Sequence, residues 1–332
     1  MTGHDDKGPE ETGRRPTRPG AATFTIEGRA APGLYLIGWL GTVVGLGLLV
    51  VAALAGGGLA AGVLLAAGLL VLGCSLVAAA GSQAMERRAR GMQGYDGPSP
   101  WLVFAASLPL TILAVLAVVL PLGGGQIAAI NPLTTLVSVI ATGVVYVALV
   151  RLLIVGTRAL SWSDMGFARR GTDLLEDLAW GAALALPVVV VTLLAAAALV
   201  VLFGVTPDSP LPPATDTAGL VLNFLAASIA APTGEEIFFR GFATTAWART
   251  AGARAAIVRG AIFFALVHIV TVEGDWREAA VAFGARIPVG LALGWVFLSR
   301  RSIYASISMH ATFNAVVLIL QELGGSIGEQ PG

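Results

Sequence analysis

Beyond residue 33 the chain runs in apolar stretches of about 17 to 24 residues, separated by short charged or Gly/Pro-rich breaks. A helix rises about 1.5 Å per residue, so such stretches match the roughly 30 Å hydrocarbon core of a bilayer. The pattern predicts an all-α, polytopic transmembrane helical bundle of eight or nine spans. Nine segments fit, at about 35–55, 59–80, 101–122, 133–154, 180–203, 219–248, 258–272, 279–298 and 303–321. The sixth is long and the seventh short, so these two admit another division. Residues 1–33 are polar, rich in Pro and Gly, and too poor in large apolar side chains to repay ordering. They read as a disordered cytoplasmic tail, and His4 lies in it. The chain then divides into helices at 34–203, a loop at 204–218, a second helical part at 219–321 and a short tail at 322–332.

Composition removes whole classes of function. With 56% hydrophobic and only 12% charged residues, the chain cannot be a soluble globular protein. Its formal net charge is zero and it has no basic patch, which excludes nucleic acid as a partner and leaves the lipid bilayer as the surround. Charge matters here by position. Arg14, Arg15, Arg18 and Arg29 precede the first span, Arg87, Arg88 and Arg90 follow the second, and Arg158, Arg169 and Arg170 follow the fourth. Arg249 and Arg254 follow the sixth and Arg300 and Arg301 the eighth, whereas the loops after the first, third and fifth carry none. Basic loops stay in the cytoplasm, so the N-terminus is expected inside, the 204–218 loop and the C-terminus outside, and the protein in the plasma membrane. No basic start followed at once by an apolar stretch marks a cleaved signal peptide. The single Cys74 excludes an internal disulfide, and Gly41 and Gly45 form a GxxxG pair suited to close helix packing. Residues 161–177, with Trp162, Met165 and Phe167 among charges, are expected to lie along the cytoplasmic interface.

The informative positions are ionisable groups inside the last four spans, where each costs several kcal/mol and marks function. Ala231-Pro232-Thr233-Gly234 is expected to interrupt the sixth span just before Glu235-Glu236, since Pro232 removes a backbone donor. Glu236 and Arg240 are four residues apart, acid first, the favourable order for an ion pair; Glu235 is turned about 100° away. Phe264 and His268 share a face of the seventh span, and His310 and Asn314 a face of the ninth. Counted from helix ends near Ala243, Arg259 and Ser302, Glu235, His268 and His310 each lie roughly 12 to 14 Å deep. Arg286, deep in the eighth span, is expected to pair with Glu235 or Glu236, or else to receive a substrate C-terminal carboxylate.

These residues stand as Glu235-Glu236-x-x-x-Arg240, Phe264-x-x-x-His268 and His310-x-x-x-Asn314. In that form and order they resemble the EExxxR, FxxxH and HxxxN motifs of the CAAX proteases and bacteriocin-processing enzymes. This family is also called the Abi or type II CAAX prenyl endopeptidase family of intramembrane proteases. The resemblance covers roughly 219–321 and makes that part the expected catalytic core; the first five spans carry no matching motif. It implies an intramembrane endopeptidase acting on a membrane-anchored protein or peptide, of CAAX type or processing bacteriocin-like leaders. By the same resemblance Glu235 and His268 activate a water, His310 and Asn314 stabilise the oxyanion, and Glu236 and Arg240 support them.

A metal version uses the same side chains, because two histidines and a glutamate, here His268, His310 and Glu235, are a known catalytic zinc set. Zinc is thus possible but not required, and the lack of a local HExxH spacing favours the metal-free version. The competing class is a transporter or immunity-type binding protein in which the same cluster forms a substrate or ion path. Solute or charge flux without peptide cleavage would identify it.

Overall fold

The structure is a computed structural model that describes residues 25–126, 128–168, 171–270, 272 and 274–328, with the side chains of 324–328 left aside. The tail expected to be disordered lies outside these residues as far as position 24, and the first helix already begins at Pro32. The described chain is helical, without strands. Nine helices follow one another: α1 (Pro32–Leu54), α2 (Gly58–Ala89), α3 (Pro100–Leu122), α4 (Pro132–Val155) and α5 (Thr172–Phe203) come first. They are followed by α6 (Thr217–Ala251), α7 (Ala253–Ile269), α8 (Trp276–Arg300) and α9 (Ile303–Gly328).

Eight of them are long and apolar enough to cross a membrane, and the protein is an integral, multi-pass membrane protein. The exception is α7, the seventh segment of the sequence reading. Its 17 residues span about 25 Å and carry Arg254, Arg259 and His268. One face of it, with Gly260, Ala261, Phe263 and Phe264, is buried against the bundle, while Val258 and Ile262 are exposed on the other. It packs antiparallel on α8, where a Cβ at Gly290 would lie 3.0 Å from the Ala261 backbone and one at Gly294 3.5 Å from Ile257.

Local sequence explains the helix starts. Proline opens α1, α3 and α4, where its missing N–H costs nothing. Asn131 and Thr134 cap α4 reciprocally, and Asp275 and Glu278 do the same for α8. Small residues then set the packing. A Cβ at Gly45 would stand 2.7 Å from the Leu72 backbone nitrogen and one at Gly38 2.9 Å from Ala79, so α1 and α2 touch nearly backbone to backbone.

The interior is aromatic and centres on α6. All eight residues from Ile237 to Thr244 are buried. Phe238 stacks on Tyr146 of α4 with ring centroids 4.7 Å apart, and Phe239 meets Phe263 at 5.3 Å and Phe264 at 5.6 Å. Tilted and edge-to-face rings of this kind fix neighbouring helices more sharply than aliphatic contacts do.

The described part of the stretch expected along the interface, 161–168, is not helical. It is a looped strap across the ends of α6 and α9: Met165 is fully buried, Gly166 accepts a hydrogen bond from the Ile303 N–H at 3.2 Å, and Phe167 packs edge-on against Tyr304. Asp164 latches it to Arg249 at 2.6 Å. Partial burial raises the Asp164 carboxyl, but bonds from the Ser161 N–H and hydroxyl, with the Arg249 charge, outweigh this and hold it below its ordinary 3.8. On the opposite flank Arg300, closing α8, reaches Glu176 and Asp177 of α5, each at 2.8 Å.

Candidate active site

The sixth span is not interrupted at Pro232. The chain stays helical from Thr217 to Ala251, but two wide-turned π segments, Ala226–Ala230 and Ile237–Thr244, flank the short α-helical stretch Ala231–Glu236. The missing proline donor is thus absorbed by i→i+5 turns on either side, a feature that recurs at functional sites. Between them Gly234 meets Gly143 of α4, and a Cβ at Gly234 would come within 2.7 Å of the Gly143 Cα. The reverse substitution is easier, since a Cβ at Gly143 would lie 3.7 Å from the Gly234 Cα. Gly234→Ala is therefore expected to cost about 1–3 kcal/mol by overpacking and to reduce any activity depending on Glu235, with Gly143→Ala near neutral. Thermal unfolding in detergent checks both.

The two adjacent glutamates face different surroundings. Glu236 is sealed, with 0% of its side chain exposed. It pairs with Arg240 at 3.2 Å, accepts a bond from His310 Nδ1 at 2.9 Å and accepts a short one from the Ser306 hydroxyl. Three donors around one carboxylate hold it fixed. Arg240, itself buried, lies 4.4 Å above the Phe264 ring and donates to the Gly290 carbonyl at 3.5 Å. Glu235 keeps 22% of its side chain exposed and His268 keeps 24%. The accessible carboxylate is therefore Glu235.

The imidazole tautomers follow from their partners. His268 Nδ1 lies 2.7 Å from the Phe264 carbonyl oxygen, which can only accept, so Nδ1 carries the proton and Nε2 a lone pair. His310 Nδ1 donates to Glu236, so its Nε2 also carries a lone pair when the ring is neutral. Both Nε2 atoms point at the same carboxylate oxygen: Glu235 Oε2 is 3.8 Å from His268 Nε2 and 4.0 Å from His310 Nε2. Phe264 forms the wall between the rings, 4.4 Å from His268 and 5.6 Å from His310 by ring centroids.

Those gaps are too long for direct hydrogen bonds. A water about 2.8 Å from both atoms bridges either one at an angle near 90°. Zinc ligands at about 2.0–2.1 Å from a common tetrahedral ion stand roughly 3.3 Å apart. The observed spacing is wider, and among the described residues no group of three His, Cys, Asp or Glu side chains is set to hold a metal ion. The residues as arranged do not fit zinc.

The remaining expected residues fall on either side of this cluster. Asn314 lies on α9 one turn beyond His310, where its amide donates to the Ala227 carbonyl of a π segment at 2.7 Å. Arg286 does not pair with either glutamate. Its guanidinium donates to the Ala282 carbonyl one turn back at 2.9 Å, and Glu235 and His268 feel its charge only across a longer gap. The part-buried Arg286 side chain thus folds back onto its own helix. Two members went unremarked in the sequence. Ser306 precedes His310 by one turn, and that spacing was the signal available for it. Tyr146 comes from α4 and packs on Phe238 and Phe239, for which no local pattern exists.

Two carboxylates, two imidazoles and one arginine, drawn from three helices of a multi-pass membrane protein, make this cluster the candidate functional site. Residues 217–316 match the family described as Type II CAAX prenyl endopeptidase Rce1-like. The matched stretch runs from the start of α6 through His310 and Asn314 and leaves α1 to α5 outside it. Neither the curated proteins nor the solved structures compared with this chain give a match.

Proposed function

We propose that the protein is a glutamate-dependent intramembrane endopeptidase that hydrolyses a peptide bond of a membrane-anchored protein or peptide near the cytoplasmic face. The observation that carries this reading is the convergence of His268 Nε2 and His310 Nε2 on Glu235 Oε2 at 3.8 and 4.0 Å, a spacing suited to one shared water.

In the proposed reaction the water donates its hydrogens to Glu235 and His268 and turns an oxygen lone pair toward the substrate carbonyl. As the O–C bond forms, its proton passes to Glu235 and negative charge gathers on the carbonyl oxygen. His310, protonated on Nε2 and backed by Glu236 at Nδ1, donates to that oxyanion, as does the Asn314 amide through its second N–H. The C–N bond then breaks, and Glu235 returns the proton to the leaving amine. Arg240 and Ser306 hold Glu236, and through it the His310 ring, in place. Arg286 is left as the candidate partner for an anionic group of the substrate. The N-terminus and the arginine-rich loops are assigned to the cytoplasm by the same charge asymmetry read from the sequence.

The test is cleavage in proteoliposomes. The purified protein is expected to shorten a farnesylated CAAX-type peptide, and to do so after exhaustive chelation as well as before. Loss of cleavage on chelation, restored by zinc, would overturn the metal-free reading. Solute flux without cleavage would favour the transporter.

A further inference from the structure

Gly143 and Gly234 bring α4 and α6 together almost backbone to backbone, and both glycines are followed closely by a polar side chain. Tyr146 stands three residues after Gly143, so it leaves the same face of α4 about one turn on. Glu235 follows Gly234 directly, and Phe238 and Phe239 lie three and four residues beyond it, on its own side of α6. Tyr146 packs on both rings, at 4.7 and 6.0 Å between centroids. The phenol is thereby set against the helix face that carries Glu235. Phe239 also meets Phe264 of α7, the ring that walls the two imidazoles.

A buried tyrosine ordinarily finds a partner for its hydroxyl. Tyr95, the other buried tyrosine among the described residues, donates to the Pro98 carbonyl at 2.8 Å. The Tyr146 ring is 7% exposed, yet its hydroxyl makes no hydrogen bond among the described residues. Nor is that oxygen sealed off, as the unpartnered Ser228 hydroxyl is; it keeps accessible surface. The charge of Glu235 reaches it. Glu235 has the complementary vacancy: both imidazoles stand toward Oε2, and Oε1 accepts no hydrogen bond among the described residues. The Tyr146 ring is clamped by Phe238 and Phe239, whereas the Glu235 side chain is flexible and partly exposed, so the carboxylate is the partner that moves.

We propose that Tyr146 is a positioning residue: a turn of the Glu235 side chain lets Oε1 accept the Tyr146 hydroxyl, and this bond holds Oε2 toward the shared water. A carboxylate gripped at one oxygen is fixed in rotation as well as in place, and a phenol supplies the donor without bringing another charge into the bundle. The bond makes α4 part of the site, although α4 lies outside the matched stretch 217–316. The effect on rate rests on the reading of Glu235 as the proton acceptor; the bond itself is measurable without cleavage.

Infrared spectra of the full-length protein in detergent test it. The carboxyl-group bands of Glu235, identified as those lost in Glu235→Gln, are expected to move in Tyr146→Phe, which keeps the ring on Phe238 and Phe239 and deletes only the oxygen. In cleavage of a membrane-anchored peptide the same variant is expected to lose about tenfold in kcat, with KM and the thermal midpoint unchanged, and to add no further loss in the Glu235→Gln background. Unmoved bands would overturn the proposal, and if the wild type still cleaves, the proteolytic reading survives that result. A Tyr146→Phe variant with wild-type kcat, or one whose loss of rate tracks a loss of thermal midpoint, would overturn it as well. Moved bands in a protein that cleaves nothing would uphold the bond and remove the proteolytic reading instead.

Discussion

Glu235→Gln is expected to lower peptide cleavage by at least about 10³-fold while leaving the fold intact. The loss corresponds to roughly 4 kcal/mol of barrier, within the range that a positioned general base supplies. The fold is expected to survive because the nearest ionic partners of Glu235 stand at 3.8 and 4.0 Å, too far to be structural hydrogen bonds. Glutamine keeps the shape and removes only the proton acceptor. Single-turnover cleavage of a membrane-anchored peptide, measured beside the thermal midpoint of the same preparation, separates the two effects. A variant that keeps wild-type turnover would remove Glu235 from the chemistry.

Arg240→Ala is expected to act on the opposite quantity. Both partners of the Glu236–Arg240 pair are buried, at 0% and 1% side-chain exposure. Removing the arginine leaves a carboxylate inside the bundle with only Ser306 and His310 as donors. Breaking such a pair from one side costs about 3–5 kcal/mol, because the surviving charge is no longer compensated. The cation over the Phe264 ring is lost with it, and that ring walls both imidazoles. Denaturant or thermal unfolding in detergent reads the loss directly, and low recovery of folded protein is its expected cellular form. Stability within about 0.5 kcal/mol of the wild type would show that the pair is ornamental. Arg240→Lys is expected to recover only part, since an ammonium cannot stack on Phe264 and reach Glu236 and Gly290 together.

The two predictions separate neighbours in sequence, and that separation shows what the sequence made legible. Apolar run length located every membrane-crossing helix, because bilayer thickness constrains helix length independently of tertiary detail. The four-residue spacing of Glu236 and Arg240 was sufficient to predict their pairing, since α and π turns both leave these positions close. The same logic placed Phe264 beside His268. It could not place Arg286, whose nearest acceptor is a carbonyl of its own helix. Long-range partners decide where a flexible guanidinium goes.

Other features depend on contacts between distant elements. The π turns around Ala231–Glu236 answer to the close approach of Gly143 as well as to Pro232, and no local composition announces them. The 161–168 strap mixes aromatic residues with charges in sequence, and only the assembled bundle shows Met165 and Phe167 packed on α6 and α9. The short α7 buries one face against Gly290 and Gly294 and exposes Val258 and Ile262 on the other, a division that its composition does not announce. Tyr146 was out of reach for the same reason: α4 carries no motif, and only the assembled bundle brings it to Phe238.

The central claim is that Glu235, His268 and His310 act as one unit on one water, and a double-mutant cycle on the single-turnover cleavage rate tests it most directly. Groups that serve the same step are not additive. The account predicts that Glu235→Gln combined with His268→Ala is no more than a few-fold slower than the worse single variant. Losses that multiply, each residue subtracting its own share of the barrier, would contradict it.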